Sequence, residues 1–206
     1  MKTRTFIALN LPSEIKKKIG KIIDELKRVR KGVNPVRSKT SLMSADLLKA
    51  NRTSNGVKWV EPENIHLTLH FLGWLEEEKI KKVKKILEEA SQKIKPCLIE
   101  IREIDCFPTK TSPRVIFLEG LEENNIINNL RTKIGEKLEA IGIETDKRPF
   151  RLHFTLGRVK EKGLRLPQIK IKSSLSFEVR SIELMKSELR PSGPIYSVLE
   201  SFPFKS

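Results

Sequence analysis

The tetrapeptide His66-Leu67-Thr68-Leu69 recurs as His153-Phe154-Thr155-Leu156, and this repetition constrains the fold more than any other feature of the chain. Both copies lie in apolar, β-branched surroundings that predict strands, Ile65 to Gly73 and Phe150 to Val159. Alternate residues of a strand share a face, so His66 and Thr68 point one way while Leu67 and Leu69 point the other. His153 and Thr155 repeat that arrangement. An imidazole beside a hydroxyl can handle a proton and hydrogen-bond a phosphate oxygen. Two such pairs facing each other would surround one phosphorus atom, with one histidine as base and the other as acid. A lone histidine in a strand is more often a structural residue; the same polar pair at the same spacing twice favours a shared site.

Around these strands the chain reads as alternating elements. Arg4 to Leu11 predicts a strand ended by Pro12, and Pro12-Ser13-Glu14 opens a helix with Ile15, Ile19, Ile22, Ile23, Leu26 and Val29 on one face. The helix runs out near Gly32. Gly73 is expected to close the first motif strand, and Glu76 to Ile94 predicts a second amphipathic helix, broken by Pro96. Leu98 to Phe107 and Arg114 to Leu118 predict a hairpin, and Asn124 to Ile141 a third helix ending at Gly142. After the second motif strand, Ser174 to Arg180, Ser181 to Leu189 and Ile195 to Phe204 predict further strands. The class is α+β. The recurrence of strand, helix and motif strand in both halves predicts two pseudo-symmetric lobes, each a mostly antiparallel sheet backed by helices, with the motif strands lining a cleft between them.

Three arginines flank the second motif, and Arg151 shares the parity of His153, so it is a candidate for the site face, with phosphate binding as its role. His70 follows His66 and Thr68 at the same parity and is expected at the rim of the cleft. The net charge of +15 favours a polyanion such as RNA, although lysines on solvated helix faces would give the same bias. Cys97 and Cys106 fall in one extended segment, too far apart for a disulfide, and neither has a neighbour at metal-ligand spacing. No apolar run approaches the ~20 residues that span a bilayer. The N-terminus enters a strand-like segment without signal-peptide character, so a cytoplasmic, membrane-free protein is expected. No coiled-coil or large apolar stripe is left over, and a monomer is expected.

Residues 33–57 look foreign to the rest, being rich in Asn, Ser and Thr. Codons for Arg52-Thr53-Ser54-Asn55-Gly56-Val57 can be chosen whose reverse complement reads Asn-Pro-Val-Arg-Ser-Ser, and the chain carries Asn34-Pro35-Val36-Arg37-Ser38-Lys39. One reading is an inverted-repeat DNA element translated as an inserted surface loop. The other is an ordinary long loop that touches RNA through Arg37, Lys39 and Arg52.

The two His-x-Thr-Leu motifs, with Arg4-Thr5-Phe6-Ile7-Ala8 at the start, resemble the 2H phosphoesterase superfamily. Lys58-Trp59-Val60 before Pro62-Glu63-Asn64-Ile65, with Pro113-Arg114-Val115-Ile116, Gly157-Arg158 and Ser192-Gly193-Pro194-Ile195-Tyr196, narrows the likeness to the RNA 2′,3′-cyclic phosphodiesterases, also called 2′-5′ RNA ligases. The resemblance covers almost the whole chain outside residues 33–57. It implies a single bilobal domain over 1–206 that uses no metal or nucleotide cofactor. It implies hydrolysis of 2′,3′-cyclic phosphate RNA ends, tRNA fragments among them, or of cyclic nucleotides, to 2′-phosphomonoesters. By the same resemblance His153 is the proton acceptor and His66 the proton donor, a division open to reversal. Thr68 and Thr155 bind the phosphate, with Arg151, Arg158 and Tyr196 as further substrate contacts. Two other functions remain open: 2′-5′ ligation by the same residues, and a non-catalytic RNA-binding or nucleotide-binding module.

Overall fold

The computed structural model describes residues 2–31, 53–54, 56–161, 171, 175–191 and 193–205. Two antiparallel sheets carry the described chain. The first has β1 (Lys2–Asn10) and β4 (His66–Glu76) paired along their length, with β9 (Ser181–Arg190) and β10 (Gly193–Pro203) on the other side, in the order β10-β9-β1-β4. The second holds β2 (Thr53–Ser54), β3 (Val57–Trp59), β5 (Cys97–Thr109), β6 (Ser112–Glu122), β7 (His153–Val159) and β8 (Leu175–Val179), in the order β2-β3-β7-β6-β5-β8. The two-sheet α+β architecture expected from the sequence is present, with one motif strand in each sheet.

Three helices complete the fold. In α1 (Ser13–Lys31) the side chains of Ile15, Ile19, Ile23 and Leu26 are buried, while Lys17, Lys18 and Lys21 face outward. Helix α2 (Glu77–Ser91) buries Val83, Ile86 and Leu87, and packs on β4, β9 and β10. Helix α3 (Ile126–Ala140) buries Ile127, Leu130, Ile134 and Leu138. Its first turn is closed by Glu122, whose carboxylate accepts the backbone N–H groups of Ile126 and Ile127 at 2.8 and 2.7 Å. Its last turn is closed by the expected glycine. Gly142, at φ 74°, and Ile143 donate to the carbonyls of Glu139 and Leu138 in a Schellman arrangement. Although α3 leaves from the second sheet, it lies on α2 and β4 of the first. The backs of the sheets and the helices therefore share one continuous apolar core, from Ile7 and Leu67 to Leu118 and Leu156.

Two expectations change at this level. Gly73 does not close its strand; β4 continues to Glu76, and Gly73 takes φ 73° inside it, which glycine does without steric cost. The expected inserted segment falls mainly on residues outside the described ones, but its last residue, Val57, is fully buried in β3 opposite Val159. Cys97 and Cys106 are free thiols buried at separate positions of β5. Among the described residues, no helix is long and apolar enough to cross a membrane.

Candidate active site

The motif strands bring the two histidines to one place. β4 and β7 touch each other, and His153 lies near enough for its charge to act on His66. Both rings are held in the same way. His66 Nδ1 donates to the carbonyl of Asn64 at 2.7 Å, and His153 Nδ1 donates to the carbonyl of Arg151 at 2.8 Å. A carbonyl can only accept, so Nδ1 carries the hydrogen in each neutral ring and Nε2 keeps the lone pair. Each acceptor lies two residues before its histidine. The equivalence is a consequence of the repeated sequence, since the same strand entry positions the same carbonyl.

Aromatic rings brace each imidazole. His66 lies 4.9 Å from Phe6 and 5.1 Å from Tyr196, edge-on to the latter. His153 lies edge-on to Phe107 and Phe117, at 5.4 and 5.6 Å. Phe6 comes from the strand beside β4 and Phe117 from the strand beside β7. Thr68 and Thr155 are partly exposed on the same strand faces as their histidines, as the alternation predicts.

Each motif strand then bulges at the same place. β1 pairs Ala8 with Thr68 and Ile7 with His70, skipping Leu69; β6 pairs Phe117 with Thr155 and Ile116 with Gly157, skipping Leu156. A bulge inserts one residue and inverts the alternation beyond it. The consequence for His70 is a correction: it is not at the rim but 4% exposed on the back of the sheet. There its Nε2 donates to the carbonyl of Arg131 at 2.8 Å, and its ring meets Gly135 of α3, where a Cβ would come within 3.1 Å of it. The bulge in β7 does the opposite for Arg158, bringing it onto the cleft face. Its charge acts on both His153 and Tyr196.

Arg151 is placed beside the site, but its guanidinium is committed. It donates to Glu119 at 3.0 and 2.6 Å and to Asp105 at 3.0 Å, and lies over the rings of Phe117 and Phe107. Glu119 is the cross-strand partner of His153, so this cluster packs around the second histidine. Lys16 of α1, absent from the sequence expectations, donates to the carbonyl of Glu63 at 2.9 Å, and its charge reaches His66 and Glu183. Its signal in the sequence is indistinguishable from that of the neighbouring solvated lysines.

Burial dominates the electrostatics of the pair. It drives the pKa of His66 down to about 4, against the opposing bond to Asn64 and with help from Lys16 and His153. His153 is lowered by burial too, with the charges of Arg151 and Arg158 adding to it. Both imidazoles are thus set to be neutral before an anion arrives. A bound phosphate would raise both.

Residues 44–117 and 120–196 match the family described as LigT like Phosphoesterase. The chain belongs to that family. The first matched stretch reaches into the segment expected to be inserted. Among similar proteins, one of Archaeoglobus fulgidus named RNA 2′,3′-cyclic phosphodiesterase is 36% identical over 97% of this chain and 99% of its own. One of the same name from Methanocaldococcus jannaschii is 32% identical over 97% and 99%. Among solved structures, TT0787 of Thermus thermophilus superposes with a TM-score of 0.71 at 28% identity, covering 98% of this chain and 97% of that one. E. coli LigT complexed with 3′-AMP superposes with a TM-score of 0.75 at 20% identity, covering 100% of both chains, a likeness of fold.

Proposed function

We propose that this chain hydrolyses the 2′,3′-cyclic phosphate ends of RNA to 2′-phosphomonoesters, using two imidazoles and no metal ion. The observation that carries this reading is the matched pair of histidines, each with Nδ1 tied to a carbonyl and Nε2 left to exchange a proton. The names of the full-length relatives support the same substrate. Thr68, Thr155 and Arg158 bind the phosphate oxygens, and Tyr196 closes the side of His66. One Nε2 removes a proton from water as its oxygen attacks phosphorus. The bond from phosphorus to O3′ breaks, and the other Nε2–H protonates O3′ as it leaves. The 2′ ester survives, and the histidines exchange protons with solvent before the next turnover.

The resemblance gave the base role to His153. Both imidazoles rest neutral, so either Nε2 is open to act as base, and the depression of His66, which weakens it as a base and strengthens its conjugate acid, gives no ground to reverse that assignment. His66 then carries the proton that leaves with O3′. The test uses a cyclic-phosphate oligonucleotide in EDTA, with product position assigned by phosphorus NMR. A 2′-phosphate product, abolished in both His66→Ala and His153→Ala, is expected. A 3′-phosphate product, or turnover that depends on added metal, refutes the reading. A substrate with sulfur in place of O3′ separates the roles, since a thiolate leaves unprotonated. His66→Ala should recover on it while His153→Ala does not; recovery of His153→Ala instead reverses the assignment.

A further inference from the structure

The reacting phosphate is the end of a chain, and the rest of that chain must leave the cleft over one sheet face or the other. The two faces differ in charge and chemistry. Next to His153, the cleft face of the second sheet carries Glu119, Asp105, Glu103 and Glu100, all placed on that side by their register. Arg151, Lys110 and Arg102 neutralise most of that cluster. The carboxylates and the cations they engage leave a phosphodiester backbone little to gain on that stretch.

The first sheet offers the opposite. On either side of its second bulge, at Leu72, β4 still presents side chains to the cleft: Phe71 opposite Phe6, and Trp74 opposite Arg4. Phe6 and Arg4 alternate on one face of β1, so their partners share that face, about 7 Å apart along the strand. Phe71 is 67% exposed and Trp74 is 62% exposed, although both lie on a strand whose other face is core. The rings continue the site itself, because Phe6 sits 4.9 Å from His66 and 6.3 Å from Phe71. Arg4 lies in the same row, its Nη1 donating to Ser187 Oγ at 3.0 Å, and its charge reaches Tyr196. Exposed aromatics interleaved with arginine, running from a phosphate site, suit one class of ligand: stacked bases with phosphates between them.

We propose that Phe71 and Trp74, with Arg4, form a track for the single-stranded nucleotides on the 5′ side of the cyclic phosphate. Each ring stacks a base, whatever its identity, and Arg4 meets an intervening phosphate. The track makes an RNA strand, not a mononucleotide, the preferred substrate. It rests on the phosphodiesterase reading, and it predicts a selectivity that catalysis alone does not require.

The experiment compares kcat/KM for a cyclic-phosphate mononucleotide and for a short oligonucleotide with the same terminal residue. In Phe71→Ala/Trp74→Ala the oligonucleotide value should fall about tenfold or more, through KM, the loss expected when a base loses its stacking partner. The mononucleotide value should stay within about twofold, and Phe71→Tyr/Trp74→Phe should restore the oligonucleotide value. Equal losses on both substrates, or no loss on either, overturn the track. If the unaltered protein turns over neither substrate, the phosphodiesterase reading has failed, and binding still tests the track. The only other tryptophan, Trp59, is buried, so quenching of Trp74 fluorescence by single-stranded RNA reports stacking directly. Quenching that vanishes in Trp74→Phe supports the track, and its absence in the unaltered protein refutes it.

Discussion

Replacing Arg151 by methionine should raise the pKa of His153, with at most a modest rise in KM from the two carboxylates it uncovers. Methionine keeps an apolar stem over Phe107 and Phe117 but removes the charge that holds Glu119 and Asp105. The guanidinium lies 5.1 Å above the Phe117 ring, and that ring lies 5.6 Å from His153. The cation is therefore at most about 11 Å from the imidazole, where a unit charge at an effective dielectric of ~20–40 is worth about 0.8–1.5 kcal/mol. Losing it, and leaving two carboxylates unopposed nearby, favours the imidazolium and moves the His153 pKa upward. The Nδ1 bond to the Arg151 carbonyl survives, because it is made by the backbone. Proton NMR titration of the ring C–H signals reads the shift. The limb of the pH–rate profile that belongs to His153 should move up with it. A His153 titration unchanged in Arg151→Met, together with a KM raised well over tenfold, would return Arg151 to the phosphate-binding role expected from the sequence.

Three further outcomes follow from the geometry. Gly157→Ala places a Cβ 2.8 Å from Val57 Cγ1 and 3.2 Å from the Lys58 carbonyl, so β3 must shift; about 1–3 kcal/mol of stability should be lost, read from the urea midpoint, and an unchanged midpoint contradicts the packing. His66 titrates lower in the folded protein than unfolded, so its contribution is present above pH ~6.5 and is lost as the pH falls toward about 4. That loss amounts to about 3 kcal/mol, and His66→Gln should flatten the acid side of the stability curve; a curve equally steep in the variant argues against it. If residues 33–57 are a translated DNA element, deleting 33–52, which spares β2 and β3, should leave oligonucleotide turnover within about twofold, and the coding flanks should be complementary; a large loss of turnover favours the RNA-contacting loop instead.

The element order, the α+β class and the strand faces of His66, Thr68, His153 and Thr155 are legible in the chain because they depend on local periodicity. His66 with Thr68, and His153 with Thr155, needed only the alternation of a strand. The end of α3 at Gly142 needed only a residue that tolerates positive φ. What the tertiary structure decided was everything beyond the first bulge. The extra residue at Leu69 buries His70 and exposes Phe71, and the one at Leu156 turns Arg158 to the cleft; the pairing strand sets both. Arg151 likewise has the right parity, yet its charge is claimed by Asp105 and Glu119 from β5 and β6. The depressed pKa of His66 arises from burial among Phe6, Tyr196 and Lys16, which three separate elements bring together. Parity is a property of neighbouring residues, whereas register, burial and the partner of a charge depend on what the fold brings alongside.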